Sequence, residues 1–200
     1  GTVLCISPWN FPLAITVGQI AAALAAGNTV ISKPSEHTSI IAFEAINLFL
    51  DQGLPEDAIH LFLGDGDIAQ AIILNQSIDL VAFTGSLKTA KMIHQSLSSK
   101  AGKIVPMIAE TGGLNTMIID SSALLERACD DIIRSAFNSA GQRCSALRLL
   151  LIQEEIYPQL MSMLKGAMKD LTIGAPNDLN VDVGPIINTD SLNKLESYLH

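Results

Sequence analysis

Three side chains in this sequence have the types that acyl chemistry needs, and each sits where the local pattern breaks. Cys144 lies in Ser139-Ala140-Gly141-Gln142-Arg143-Cys144-Ser145-Ala146. Upstream, Leu125, Ala128, Cys129, Ile132, Ile133, Ala136, Phe137 and Ala140 recur at three- and four-residue intervals, which predicts the buried face of a helix over 124–140. Gly141 ends that helix, so Cys144 falls outside its register and into a turn. A thiolate there is a nucleophile for an electrophilic carbon, provided the thiolate is favoured locally, because a free thiol titrates at about 8.5. The pattern fits a buried structural cysteine as well. Glu110 closes a run that is otherwise apolar, as a general base or as a boundary salt bridge or cap. Asn10 stands between Pro8 and Pro12, as a hydrogen-bond donor to a developing oxyanion or as an Asx-turn residue.

Elements must hold these three in place, and the composition permits a real core. The chain has 200 residues, 48% hydrophobic and 16% charged, far too apolar for disorder. Twelve Lys and Arg face 20 Asp and Glu, a net charge of −8 with no basic stripe, so nucleic acid is not an expected partner. The longest run of low polarity, 19–27, is mostly alanine and too short to span a bilayer. Cys5, Cys129 and Cys144 form no CxxC pair, and with four scattered histidines no metal site is expected. The odd, sparse cysteine count fits a reducing, cytoplasmic compartment. Cys5 and Cys129 read as small core residues, and His37, His60 and His94 as cap and surface residues without chemistry.

Taken in order, apolar strands at 3–6, 28–32, 59–63, 80–83 and 104–109 alternate with helices at 15–26, 38–52, 67–74 and 87–99. Continuous apolar strands alternating with helices predict a parallel, Rossmann-like α/β sheet with helices on both faces. In the second helix Ile41, Ala45, Leu48 and Phe49 read as the inner face. After Gly112-Gly113 the order restarts: strand 115–119, the helix before Cys144, strand 147–152, helix 154–171, a Pro/Gly/Asp loop over 174–185, and a last segment to residue 200. This reads as the start of a second α/β domain, with domains at 1–110 and 111–200. In open parallel sheets ligands bind beyond the carboxyl ends of the strands. Asn10, Lys33 to Glu36, Gly64 to Gly66, Gly85-Ser86 and Glu110 all fall there.

Five motifs in one order carry a resemblance. Pro8-Trp9-Asn10-Phe11-Pro12, Lys33-Pro34-Ser35-Glu36, Phe83-Thr84-Gly85-Ser86, Glu110-Thr111-Gly112-Gly113 and Gly141-Gln142-Arg143-Cys144 resemble the NAD(P)-dependent aldehyde dehydrogenase superfamily. Ala109 to Asn115, Asp120-Ser121-Ser122-Ala123-Leu124, Ser139 to Arg148 and Val181-Asp182-Val183-Gly184-Pro185 are similar to its 1-pyrroline-5-carboxylate (glutamate semialdehyde) dehydrogenase branch. Within that branch they are nearest to the dehydrogenase module of bacterial bifunctional proline-utilisation proteins. Members of the family are much longer. The resemblance therefore implies a middle piece of a longer chain, lacking the first part of the NAD-binding domain and the last part of the catalytic domain. It implies uncovered apolar surface, a later Glu-x-Phe-Gly-Pro motif and oligomerisation hairpin outside these residues, a fused FAD-containing proline dehydrogenase module, and a homo-oligomer.

The resemblance also implies roles. Cys144 would attack an aldehyde, Asn10 would donate to the oxyanion, and Glu110 would activate water. NAD would be the cofactor, with Lys33, Ser35 and Glu36 at the adenosine ribose, Gly85 and Ser86 at the pyrophosphate, and Pro8 and Trp9 close by. A carboxylate at Glu36 accepts from ribose hydroxyls and repels a 2′-phosphate, which favours NAD over NADP. Ser145 and Phe11 would touch substrate. Gly64-Asp65-Gly66-Asp67 departs from the dinucleotide fingerprint: the third glycine is missing and two acids stand where a phosphate would approach.

Overall fold

The structure, a computed structural model, describes residues 1–75 and 77–199. The chain divides into two compact units, Gly1–Gly112 and Gly113–His200.

In the first unit β1 (Thr2–Ile6), β2 (Thr29–Lys33), β3 (Ile59–Leu61), β4 (Leu80–Gly85) and β5 (Met107–Thr111) alternate with α1 (Ala14–Ala25), α2 (Ser39–Asp51), α3 (Gly66–Asn75) and α4 (Leu87–Ser99). The sheet is parallel, in the order β3-β2-β1-β4-β5. Parallel strands need crossovers, and the helices supply them. Successive side chains of β1 enter different cores. Val3 and Cys5 pack with Ile20 and Ala23 of α1 and Ile46 of α2. Leu4 and Ile6 pack with Ile72 and Ile73 of α3 and Ile93 and Leu97 of α4. β1 is thus covered on both faces, which is why it reads as an unbroken apolar run, whereas edge strand β5 leaves Ile108 exposed. Truncating a fully buried residue such as Ile20 costs about 2–5 kcal/mol.

Two strand boundaries and one helix face in this unit differ most from the sequence reading; β3 ends at Leu61 rather than at 63. β5 begins at Met107, not at 104, and Ile104 is 96% exposed. Pro106 has no N–H to give; its carbonyl accepts from Val81 N, and strand pairing starts one residue later. Glu110 is consequently inside the strand, opposite Thr84. The inner face of α2 is Ala42, Ala45 and Ile46, with Phe49 packed alongside, whereas Ile41 and Leu48 are exposed. Apolar residues lie all round this helix, so periodicity does not fix its phase; Ile40 and Phe43 are exposed too.

The second unit pairs β6 (Asn115–Ile119) with β7 (Leu147–Ile152) in parallel. Between them runs α5 (Leu125–Phe137), which buries Leu125, Ala128, Cys129 and Ile132 against Leu160 and Leu164 of α6 (Tyr157–Asp170). The helix expected to start at 154 opens as a 3-10 turn, Glu154–Ile156, before α6. A further helix, α7, spans Thr189–Leu199; position 200 lies outside the described residues. No helix among the described residues is long and apolar enough to cross a membrane.

Candidate active site

In the first unit the candidate residues gather at the carboxyl edge of the sheet. The strand order reverses between β1 and β4, the place where such sheets open a ligand crevice. Gln19 of α1 bridges these two strands: its Nε2 donates to Ile6 O (3.4 Å) and to Thr84 Oγ1 (3.2 Å), while its Oε1 is buried with no partner among the described residues. Pro8, Trp9, Asn10 and Phe11 leave β1 half-buried. Their loop is tied down by Thr16, 1% exposed, which donates to Pro12 O (2.8 Å) and shares a 2.7 Å hydrogen bond with Ser7. A threonine four residues after a proline that precedes a helix was the available sign of this clamp.

Lys33 ends β2 and is only 5% exposed. Burial pulls its pKa below the usual lysine value, against the opposing pull of Glu36 and Asp65. Asp65 is thus electrostatically matched to a cation, and its Oδ1 also accepts from Asp67 N (3.1 Å). The acids that break the glycine fingerprint serve Lys33 and the α3 terminus. Ser35 is buried, and its hydroxyl accepts from His37 N (3.3 Å) and donates to Glu36 Oε2 (3.4 Å); Glu36 itself is exposed. Gly85 closes β4, where a Cβ would lie 2.6 Å from the Phe83 ring. Ser86 caps α4 by accepting from Thr89 N (3.1 Å). A buried cation, an exposed carboxylate and a capped helix N-terminus along one sheet edge fit the ribose and pyrophosphate of a dinucleotide. Glu110 and Thr111 end the neighbouring strand, with Glu110 exposed.

In the second unit the chain around Cys144 is held by four side chains, together with the backbone bonds Gln142 N to Ser139 O (3.0 Å) and Ala146 N to Arg143 O (3.2 Å). The helix was expected to run through Ala140 and stops at Phe137. Ser139 (φ 57°), Ala140 (φ 54°) and Gly141 (φ 66°) then take left-handed conformations in succession. That conformation costs an L-residue about 1–2 kcal/mol, so the first two store strain. At Gly141 a Cβ would come 2.7 Å from Ala136 O. Arg143 turns away from the thiol: its Nη2 donates to Arg134 O (2.9 Å) and Ser135 O (3.1 Å), satisfying the end of α5, where a cation also suits the helix dipole. Arg148 Nη2 donates to Gly141 O (2.5 Å). Gln142 reaches the loop ahead of α7, giving its Nε2–H to Pro185 O (3.3 Å) and taking Ile187 N–H on Oε1 (2.9 Å). Asn115 Nδ2 donates to Cys144 O (2.7 Å) and Ala146 O (2.9 Å). Cys144 and Ser145 are exposed in the resulting turn, whereas Cys5 and Cys129 are buried. Asn115, Gln142 and Arg148 are the residues that sequence reasoning left without a role. A polar residue opening the apolar strand 115–119 was the one sign for Asn115.

The aldehyde dehydrogenase family profile matches residues 1–200, the whole chain. This chain belongs to the aldehyde dehydrogenase family. The bifunctional protein PutA of Klebsiella aerogenes is 46% identical over 203 residues, covering all of this chain and 16% of that protein. A 1-pyrroline-5-carboxylate dehydrogenase of Bacillus cytotoxicus is 34% identical over 207 residues, with 39% of its length covered. A crystal structure of proline utilization A from Bradyrhizobium japonicum superposes with a TM-score of 0.97 at 48% identity, over all of this chain and 20% of that one. Betaine aldehyde dehydrogenase from Staphylococcus aureus, crystallised with NAD+, superposes with a TM-score of 0.95 at 34% identity, with 39% of its chain covered. The chain therefore spans between about a sixth and two fifths of the relatives it matches.

Proposed function

We propose that this chain carries the nucleophile, base and cofactor edge of an NAD-dependent L-glutamate 5-semialdehyde dehydrogenase, acting within a longer protein to yield L-glutamate. The observation that carries this reading is Cys144: the exposed thiol among three cysteines, at the apex of a turn that side chains hold and strain shapes. The glutamate semialdehyde assignment draws on the similarity to PutA and 1-pyrroline-5-carboxylate dehydrogenase.

In this mechanism the Cys144 thiolate adds to the aldehyde carbon, forming a C–S bond and an oxyanion. The oxyanion takes hydrogen bonds from the Asn10 side-chain amide and the backbone N–H of Cys144. One such donor lowers the barrier by about 3–4 kcal/mol. The chemistry that bound NAD supplies is acceptance of a hydride from this adduct, which leaves a thioester on Cys144. Glu110 takes a proton from water as the water oxygen attacks the thioester, releasing the carboxylate and returning the thiol. Lys33, Ser35, Glu36, Gly85 and Ser86, with Pro8 and Trp9, would hold the dinucleotide; Ser145 and Phe11 would face the substrate. A fused proline dehydrogenase module and a homo-oligomeric, cytoplasmic protein belong to the same proposal, with nucleotide-binding unit 1–110 and catalytic unit 111–200.

The test is NADH formation by the full-length protein with glutamate semialdehyde, a panel of other aldehydes, and a Cys144→Ala control. Preference for glutamate semialdehyde, lost in the control, is expected. Turnover only with other aldehydes would discard the substrate, and turnover that survives in the control would discard the nucleophile.

A further inference from the structure

Four side chains hold the segment around Cys144, and two of them come from one defect in the β6–β7 ladder. Asn115 pairs with Leu147, yet the next residue, Thr116, pairs with Leu149. Arg148 is thus an extra residue on β7. Such a bulge bends its strand and re-aims the side chains beside it, and bulges gather next to active sites for that reason. Here the re-aimed groups converge on the nucleophile loop: Arg148 reaches Gly141 O, and Asn115 reaches the carbonyls of Cys144 and Ala146.

The two Asn115 bonds have a geometric consequence. The peptide before Cys144 is held at its carbonyl, because Ala146 N donates to Arg143 O (3.2 Å). The peptide after Cys144 is held at its own carbonyl by Asn115 (2.7 Å). With both flanking peptide planes fixed, the direction of the Cys144 backbone N–H and of its Cα–Cβ bond is fixed too. An amide has two N–H groups in a rigid fork, and both are used. A hydroxyl would supply one donor and a carboxylate none.

We propose that Asn115 is the positioning residue of the nucleophile turn, aiming the Cys144 thiol and the Cys144 backbone N–H at one point by gripping the carbonyls of Cys144 and Ala146. This rests on the reading of Cys144 as the nucleophile. Asn115 touches neither substrate nor cofactor; it acts through the turn. Its effect belongs in the rate of the chemical step rather than in the binding of either ligand.

The experiment uses the full-length protein with Asn115→Ala and the near-isosteric Asn115→Leu, beside Cys144→Ala. Four quantities are read: kcat, KM for the aldehyde, NAD affinity, and the rate of Cys144 alkylation by iodoacetamide followed by peptide mass spectrometry. Both Asn115 variants are expected to lose about 10- to 100-fold in kcat, the scale of a misplaced reacting group. KM, NAD affinity and alkylation are expected to stay within about threefold, because a small free electrophile needs no oxyanion donor. A kcat within about threefold of the parent in both variants would overturn the proposal. So would a parallel loss of kcat, NAD affinity and alkylation, which marks a structural residue. Turnover retained in Cys144→Ala strikes instead at the proposed function, whatever the Asn115 variants do.

Discussion

Replacing Gly141 by alanine tests whether the strained turn is built as described. Two costs arise. Gly141 has φ 66°, where an L-residue pays about 1–2 kcal/mol. The added Cβ would also lie 2.7 Å from Ala136 O, a backbone atom at the end of α5, and 3.3 Å from Arg148 Nη1. A carbonyl inside a packed helix does not swing aside as a flexible side chain does, so relieving the clash shifts the turn or the helix end at about 1–3 kcal/mol. Together Gly141→Ala should destabilise its unit by about 2–5 kcal/mol. The companion variant is Ala140→Gly. It removes strain at φ 54° but adds freedom to the unfolded chain, so it should be neutral or stabilising by up to about 1 kcal/mol. The assay is guanidinium unfolding of the full-length protein, with hydrogen exchange over 125–152 to place the effect. Gly141→Ala within about 0.5 kcal/mol of the parent, or Ala140→Gly as damaging as Gly141→Ala, would refute the reasoning.

Two further predictions concern titrating groups and have opposite signs. Burial pushes the Cys5 thiol up to about 12, well above the ordinary thiol range. The native state therefore keeps a proton that the unfolded chain releases, and stability should fall as pH rises from about 9 towards 12. In native protein iodoacetamide should modify Cys144 and spare Cys5 until denaturant is added, as mass spectrometry would read; prompt labelling of Cys5 would contradict its burial. Burial lowers the Lys33 pKa, so the unfolded state holds the proton more tightly and stability should rise with pH between the lowered native value and the ordinary lysine value. Lys33→Met should remove that slope in unfolding titrations and weaken NAD binding by about tenfold, while leaving the fold as stable as the parent near neutrality. A variant that keeps both the slope and the affinity would show that Lys33 is a bystander.

The sequence and the structure agree most closely where one force dominates. β1 is apolar from Val3 to Ile6 and was legible because burial on both sheet faces leaves that trace; β7 was legible in range although Arg148 interrupts it and Leu149 and Leu151 are exposed. α5 was legible in phase, since its polar face of Glu126, Asp130 and Arg134 contrasts with its buried one. α2 was not, because apolar residues surround it and only tertiary contact selects Ala42, Ala45 and Ile46. The end of α5 was misjudged for another reason. Ser139 and Ala140 have no intrinsic liking for left-handed φ; they are held there by Arg143 on the α5 carbonyls and Arg148 on Gly141. Those are contacts across 7 to 9 residues, and no local propensity records them. At the candidate site, Cys144, Glu110 and Asn10 stood out by position. Asn115 did not, because its two acceptors are carbonyls 29 and 31 residues away.

The alternation of β1 between two cores sets a rule about parity. Val3 and Cys5 belong to one core, Leu4 and Ile6 to the other. A substitution at any of these sites injures one core. Insertion or deletion of a single residue within Thr2–Ile6 exchanges the two sets at once and also rotates the exit of the strand, where the loop bearing Asn10 begins. Length changes should therefore be tolerated in pairs or not at all along this strand.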